Sequence, residues 1–181
     1  ASKAATEILV SSWRKSFCQV NSNKRLKIAT TRAGNVIGGG DWSNYRLIPD
    51  VIKALIKNDK LNLRNSKSTR PWQHVLEPLC GYILLAQKIN ESEENNNYIF
   101  ESAFNFGPEQ NSNKTVELVV NKILSKWGKS LIIQNEKNIN HEANLLSLDI
   151  NKSKSLLNWK PLLNFDETID KTLNWYYNVL I

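Results

Sequence analysis

The chain has no methionine, two cysteines, two histidines and seven glycines among its 181 residues. Each scarcity excludes something. Cys18 and Cys80 fall in separate helical patterns, so the expectation is a reduced protein of the cytoplasm and not a disulfide scaffold. Two scattered histidines leave a zinc site short of ligands. No run of about 18 apolar residues occurs, so no membrane span is expected, and no basic stretch followed by an apolar one opens the chain as a secretory leader would. The glycines form neither G-x-G-x-x-G opening a helix nor Gly-Lys-Ser/Thr. No Ser/His/Asp or Cys/His set and no carboxylate pair emerges either. Ala5, Leu9, Trp13 and Phe17 make an apolar stripe at i, i+4, i+8 and i+12 that starts at once, with no capping sequence ahead of it. Together with the missing methionine, that predicts a segment upstream of Ala1.

What is present is an ordinary globular composition, 41% hydrophobic and 23% charged, carrying a formal charge of +7. Such a charge first suggests nucleic acid. The lysines are spread along the chain, however, and many occupy exposed helix positions, which reads as a solvated basic surface. A smaller anionic ligand, held by loop arginines, is the sharper alternative.

Periodicity predicts helices over about 2–20, 47–57, 77–89, 116–127 and 153–157, and a last one beginning after Asp166 as N-cap. Strand-like runs occur at 26–30, 61–63, 72–76, 103–106, 131–134 and 146–148, and 33–45, rich in Gly and Asn, reads as a loop. Gly128 is the expected stop of the helix before it. Helices and short strands alternate, so the fold class is α/β.

Two strings stand out. Gly34-Asn35-Val36-Ile37-Gly38-Gly39-Gly40 is by itself a flexible loop after a strand. In an open parallel sheet that is also where ligands sit, which makes Arg32 and Asn35 candidates. Ser68-Thr69-Arg70-Pro71-Trp72-Gln73-His74-Val75 is the second. Arg70 is either a surface charge or a two-point clamp for a diphosphate, held beside a rigid Pro-Trp pair. His74 reads as a hydrogen-bonded packing residue, since neither carboxylate nor nucleophile accompanies it. Glu77 reads as a first-turn carboxylate that complements the helix dipole.

In order, these strings resemble the extended short-chain dehydrogenase/reductase superfamily. Ser2-Lys3-Ala4-Ala5-Thr6-Glu7 is similar to the continuation of its Tyr-x-x-x-Lys signature, whose tyrosine would stand just before Ala1. Thr31-Arg32-Ala33-Gly34-Asn35-Val36-Ile37-Gly38 and Arg46-Leu47-Ile48-Pro49-Asp50 resemble the segments after its sixth strand. Gly38-Gly39-Gly40-Asp41-Trp42, the run 70–79 that opens on Arg70, and Phe104-Asn105-Phe106-Gly107-Pro108 look like the CDP-glucose 4,6-dehydratase branch. So do His141-Glu142-Ala143 and Leu157-Asn158-Trp159-Lys160-Pro161.

The resemblance implies the C-terminal part of a Rossmann-type fold with its smaller substrate-binding domain. About 1–45 would be the last elements of the Rossmann domain, and about 46–181 mostly substrate-binding. It implies an NAD-dependent lyase of deoxysugar biosynthesis, as in lipopolysaccharide O-antigen, that converts CDP-glucose to CDP-4-keto-6-deoxyglucose. Lys3 would be catalytic and would bind NAD together with Ala33 and Asn35. The substrate would be held by Asn35, Arg46, Arg64, Arg70, Asn105 and His141. The partners implied are the nucleotide sugar and, at full length, a second copy of the chain, with no nucleic acid and no membrane. Without the tyrosine and the dinucleotide fingerprint, the piece alone is expected to be inactive. Two other readings stay open: a nucleotide-sugar epimerase or a dehydratase for another nucleotide, and a non-catalytic binding or dimerisation fragment.

Overall fold

The computed structural model describes residues 2–18, 26–92, 98–135 and 144–180. The chain forms two compact units: residues 1–33, 78–106 and 149–160 make the first, and 34–77, 107–148 and 161–181 the second.

In the first unit, helix α1 (Ser2–Phe17) precedes strand β1 (Thr30–Ala33). Strand β5 (Ala103–Phe106) lies parallel to β1, with Thr30 opposite Ala103 and Ala33 opposite Phe106. Most of helix α3 (Leu76–Glu91) and the short helix α5 (Asn151–Leu157) complete the unit. Its apolar centre is Phe106, whose ring meets Tyr82 and Trp159 edge-on at 5.4 and 5.0 Å between centroids. Gly81 lets α3 approach that ring, because a Cβ there would collide with Phe106 Cδ1. Polar bonds set the direction of α1. Arg14 Nε donates to the Ile28 carbonyl at 3.0 Å, and Thr30 Oγ1 donates to Glu7 Oε2 at 2.8 Å. The helix therefore runs antiparallel to the strand, and its N-terminal turn points to the strand's C-terminal end.

In the second unit, β2 (Asn35–Ile37) pairs parallel with β4 (Thr69–His74), and β6 (Asn113–Thr115) joins β4 antiparallel. Strands β3 (Leu61–Leu63) and β7 (Ile133–Asn135) form a separate parallel pair. Helices α2 (Leu47–Lys57), α4 (Val116–Trp127) and α6 (Phe165–Leu180) bury one face each into a common core that includes Ile52, Leu55, Val119, Ile123, Ile169 and Tyr176. Sequence signals bound α4 where physics expects. Thr115 Oγ1 accepts from Leu118 N at the start of α4, and Gly128 takes φ +68° past its end.

Several expectations shift. The strand expected over 26–30 begins at Thr30 and continues to Ala33. The stretch 33–45 is not all loop, since β2 lies within it; its order comes from pairing with β4, which no local pattern announces. The extended run expected over 72–76 starts at Thr69 and gives way to α3 at Leu76, and 131–134 becomes Ile133–Asn135. Residues 146–148 form no strand; only an isolated bridge joins Leu145 to Thr69. Asp166 is not the cap of α6. Asn164 Oδ1 accepts from Glu167 N at 3.0 Å, and Glu167 Oε2 accepts from Asn164 N at 2.8 Å, a reciprocal capping box that starts two residues earlier.

Candidate functional site: an arginine-lined cavity

The second unit holds a cavity of about 590 Å³ between β2, the start of α2 and the end of β3. Asn35 comes from β2, Arg46 from the N-cap position of α2, Arg64 from the end of β3 and Arg70 from β4. Parallel pairing of β2 with β4 sets Asn35 opposite Trp72 and Ile37 opposite His74, which brings the two motif-bearing strings together. The approach is close enough to need glycine. A Cβ at Gly34 would stand 2.8 Å from both Cγ and the carbonyl oxygen of Pro71.

Arg70 is 7% exposed, and its Nη1 donates to the Thr69 carbonyl at 2.9 Å, so its guanidinium is held and largely removed from water. Arg64 reaches the Tyr45 carbonyl through Nη2 at 3.3 Å, and Arg46 is exposed.

Two carboxylates share the wall, Asp41 and Asp50. Burial raises the Asp50 pKa, against the opposing pull of Lys53, the Tyr45 backbone and Arg64. Asp41 is held below the usual range, chiefly because its Oδ1 accepts from Ser43 N at 2.9 Å. The Asp41–Asn44 turn is pinned from outside the cavity. Tyr176 Oη donates to the Asp41 carbonyl at 2.6 Å, and burial with the nearby Asp41 charge pushes the phenol up to about 12. Lys53 Nζ donates to the Trp42 carbonyl and to Asn44 Oδ1 at 2.7 and 2.8 Å. Trp175 lies so close over Gly39 that a Cβ there would run into its ring.

The cavity thus gathers Asn35, Arg46, Arg64 and Arg70, four of the residues expected to bind substrate. Ala33, Lys3 and Asn105 belong to the first unit. Lys3 is exposed one turn before Glu7, toward the C-terminal end of β1, and Ala33 is the last residue of that strand. Arg32 faces Glu7 at 3.7 Å. Asn105 Nδ2 donates to the Asp149 carbonyl at 2.9 Å and its own backbone carbonyl accepts from Ser153 Oγ, which ties β5 to α5. Its Oδ1 is buried without a hydrogen-bond partner among the described residues. His141 lies outside the described residues.

His74 is a packing residue, as its string implied. Its Nδ1 accepts from Leu76 N at 3.4 Å, and burial, aided by Lys171, lowers its pKa. Glu77 does more than complement a dipole, since its carboxylate accepts from the backbone N–H groups of Leu162 and Leu163 at 2.8–3.1 Å. Sequence reasoning missed Tyr45, Asp41 and Asp50 as cavity residues. For Asp50 the only signal was its place in Arg46-Leu47-Ile48-Pro49-Asp50, which read as a helix start. Among the described residues no three His, Cys, Asp or Glu side chains group as metal ligands, and no helix is long and apolar enough to cross a membrane.

The chain has known relatives in both sequence and fold. The chain is 40% identical over 179 residues to CDP-glucose 4,6-dehydratase of Salmonella typhimurium, covering 97% of this chain and 48% of that protein. It is 25% identical to dTDP-D-glucose 4,6-dehydratase of Dictyostelium discoideum, over 98% of this chain and 45% of the other. The chain spans about half the length of the curated relatives it matches. Solved structures share the fold at low identity. The dTDP-glucose 4,6-dehydratase of Streptomyces venezuelae, determined with NAD, superposes with a TM-score of 0.80 at 18% identity, over 98% of this chain and 50% of that one. UDP-glucuronic acid 4-epimerase of Bacillus cereus, with NAD and UDP-glucuronic acid, gives 0.78 at 17% identity, over 98% and 51%. These place the α/β architecture among Rossmann-type dehydratases and epimerases. The profile described as GDP-mannose 4,6 dehydratase matches residues 1–172. Nearly all of both compact units falls within that match, and the chain belongs to the GDP-mannose 4,6-dehydratase family.

Proposed function

We propose that this chain forms the sugar-nucleotide-binding part of an NAD-dependent dehydratase that converts CDP-glucose to CDP-4-keto-6-deoxyglucose. The observation that carries the reading is the convergence of Arg46, Arg64 and Arg70 with Asn35 on one cavity. A diphosphate needs paired, charge-assisted donors, and the buried Arg70 on the cavity wall would supply them. Arg46 and Arg64 are exposed, in contrast to Arg70, and would serve the nucleoside end. The 40% identical relative supports CDP-glucose as the substrate.

Residues 1–45 would serve mainly the cofactor and 46–181 mainly the substrate. Lys3 fits a cofactor role by position, since α1 carries it toward the C-terminal end of β1, the edge where parallel sheets bind ligands. NAD, when bound, would take the hydride from C4 of the hexose and return it at C6 as water leaves. Lys3 would hold the nicotinamide ribose, and its ammonium would favour the phenolate of a neighbouring tyrosine. Ala33 and Asn35 follow at and just past the strand end. Asn105 has only Oδ1 to offer a ligand, its amide nitrogen being committed to Asp149. His141 completes the proposed set. A homodimer in the cytoplasm is the expected assembly.

The test is nucleotide-sugar binding by the protein expressed from its natural gene. Arg70→Ala should weaken CDP-glucose binding by about 2 kcal/mol or more, the scale of lost charged hydrogen bonds. Arg70→Lys should recover it only in part, because an ammonium cannot form the fork. Parental affinity in both variants would refute the reading. An epimerase shares the fold equally well, and product analysis separates the two: a 4-keto-6-deoxy sugar from one, an inverted hexose from the other.

A further inference from the structure

We infer that Tyr45 is a stacking platform for the nucleobase of the bound nucleotide, an assignment that rests on the sugar-nucleotide reading above. The backbone gives the first indication. Tyr45 has φ +62°, a left-handed conformation that costs an aromatic residue energy. The other two non-glycine residues with positive φ, Asn58 and Asn158, are C-caps of α2 and α5, a place asparagine tolerates. Tyr45 has no such role, because it precedes a helix.

The strain is enforced by the cavity's own charged groups. The Tyr45 carbonyl accepts from Arg64 Nη2 at 3.3 Å, and the Tyr45 backbone helps to oppose the rise in the Asp50 pKa. Both side chains line the cavity, as Tyr45 does. The adjoining turn is fastened to α2 by Lys53, through the Trp42 carbonyl and Asn44. Packing of the ring does not compensate the strain. At 81%, no large apolar or aromatic side chain among the described residues is more exposed.

A strained backbone held at its carbonyl, presenting a bare ring at a residue that lines the cavity, points to a ligand that covers the ring. Arg46 follows in sequence and Arg64 holds the carbonyl, so two arginines line the same cavity as Tyr45. The ligand is then flat and aromatic at one end and anionic at the other, which is the chemistry of a nucleoside diphosphate.

The test compares CDP with inorganic pyrophosphate as ligands, by calorimetry, on the protein expressed from its natural gene. Tyr45→Ala should lower CDP affinity by about 5- to 140-fold, the range measured for loss of one base–aromatic stack, and leave pyrophosphate affinity unchanged. Tyr45→Phe should keep both. Tyr45→Gly, which takes positive φ freely, should melt at or above the parent temperature and still lose CDP affinity. Equal CDP affinity in the parent and in Tyr45→Ala overturns the stacking role while the dehydratase reading stands. A marked fall in melting temperature for Tyr45→Gly also overturns it, since the ring would then be structural. A parent that binds pyrophosphate and CDP equally well overturns stacking and the sugar-nucleotide reading together.

Discussion

Helices α1 and α6 are each 16 residues long and each carries apolar residues at helical spacing, yet they end in opposite situations. α6 buries Phe165, Ile169, Leu173 and Tyr176 against α2, α4 and the strands of its unit. α1 buries nothing among the described residues, and Ile8, Leu9, Trp13 and Phe17 stay exposed, the last two with ring centroids 4.7 Å apart. The contrast teaches that an apolar stripe says a face wants cover, without saying what covers it. In α6 the cover is local to the chain. For α1 nothing among the described residues covers the stripe, and exposed apolar surface of that kind favours association.

The sharpest way to break the comparison is to truncate one leucine on each helix. Leu173 is 2% exposed, and Leu173→Ala should cost about 2–5 kcal/mol in denaturant unfolding, by transfer and cavity together. Leu9 is 66% exposed, and Leu9→Ala should change stability by less than about 0.5 kcal/mol. Similar costs at the two sites would show that α1 is covered within the 181 residues after all.

A smaller effect sharpens the account of the α6 unit. Gly128 ends α4 at φ +68°, and nothing lies within 4 Å of where a Cβ would stand, so Gly128→Ala meets no clash, only strain. Its cost should be about 1–2 kcal/mol, read from the shift in melting temperature.

His74 supplies a pH test within the same unit. Burial lowers its folded pKa below the ordinary 6.5, so the unfolded chain takes up its proton first as pH falls. The stability it contributes is whole above about pH 6.5 and is lost as pH falls through the lower folded value. His74→Gln should flatten the melting temperature across that window; an unchanged slope would remove His74 as the cause.

The least change in folding is expected on α1, where solubility is the readout. The 181-residue chain should scatter light as associated species, and Leu9→Ser with Trp13→Ser should reduce that association while leaving unfolding nearly unaltered. A monodisperse monomer from the parent chain would mean the stripe needs no partner.

The sequence by itself determined most helices, because periodicity over three or more turns is a strong signal: α2 and α4 match residue for residue. Loop position beside Gly and Pro also marked Asn35 and Arg70 as ligand candidates, whereas Arg46 and Arg64 were named only through the family resemblance; all four line the cavity. Tertiary structure alone decided the rest. β2 exists because β4 pairs with it, and 146–148 is no strand because pairing there stops at the isolated Leu145–Thr69 bridge. Asn164 caps α6 in place of Asp166 because the chain enters that helix two residues early, and Glu77 is taken up by two backbone N–H groups 85 and 86 residues away. Tyr45 was silent for the same reason. Its positive φ accompanies the bond from Arg64 to its carbonyl, and a contact between residues 19 apart in sequence leaves no local pattern to read.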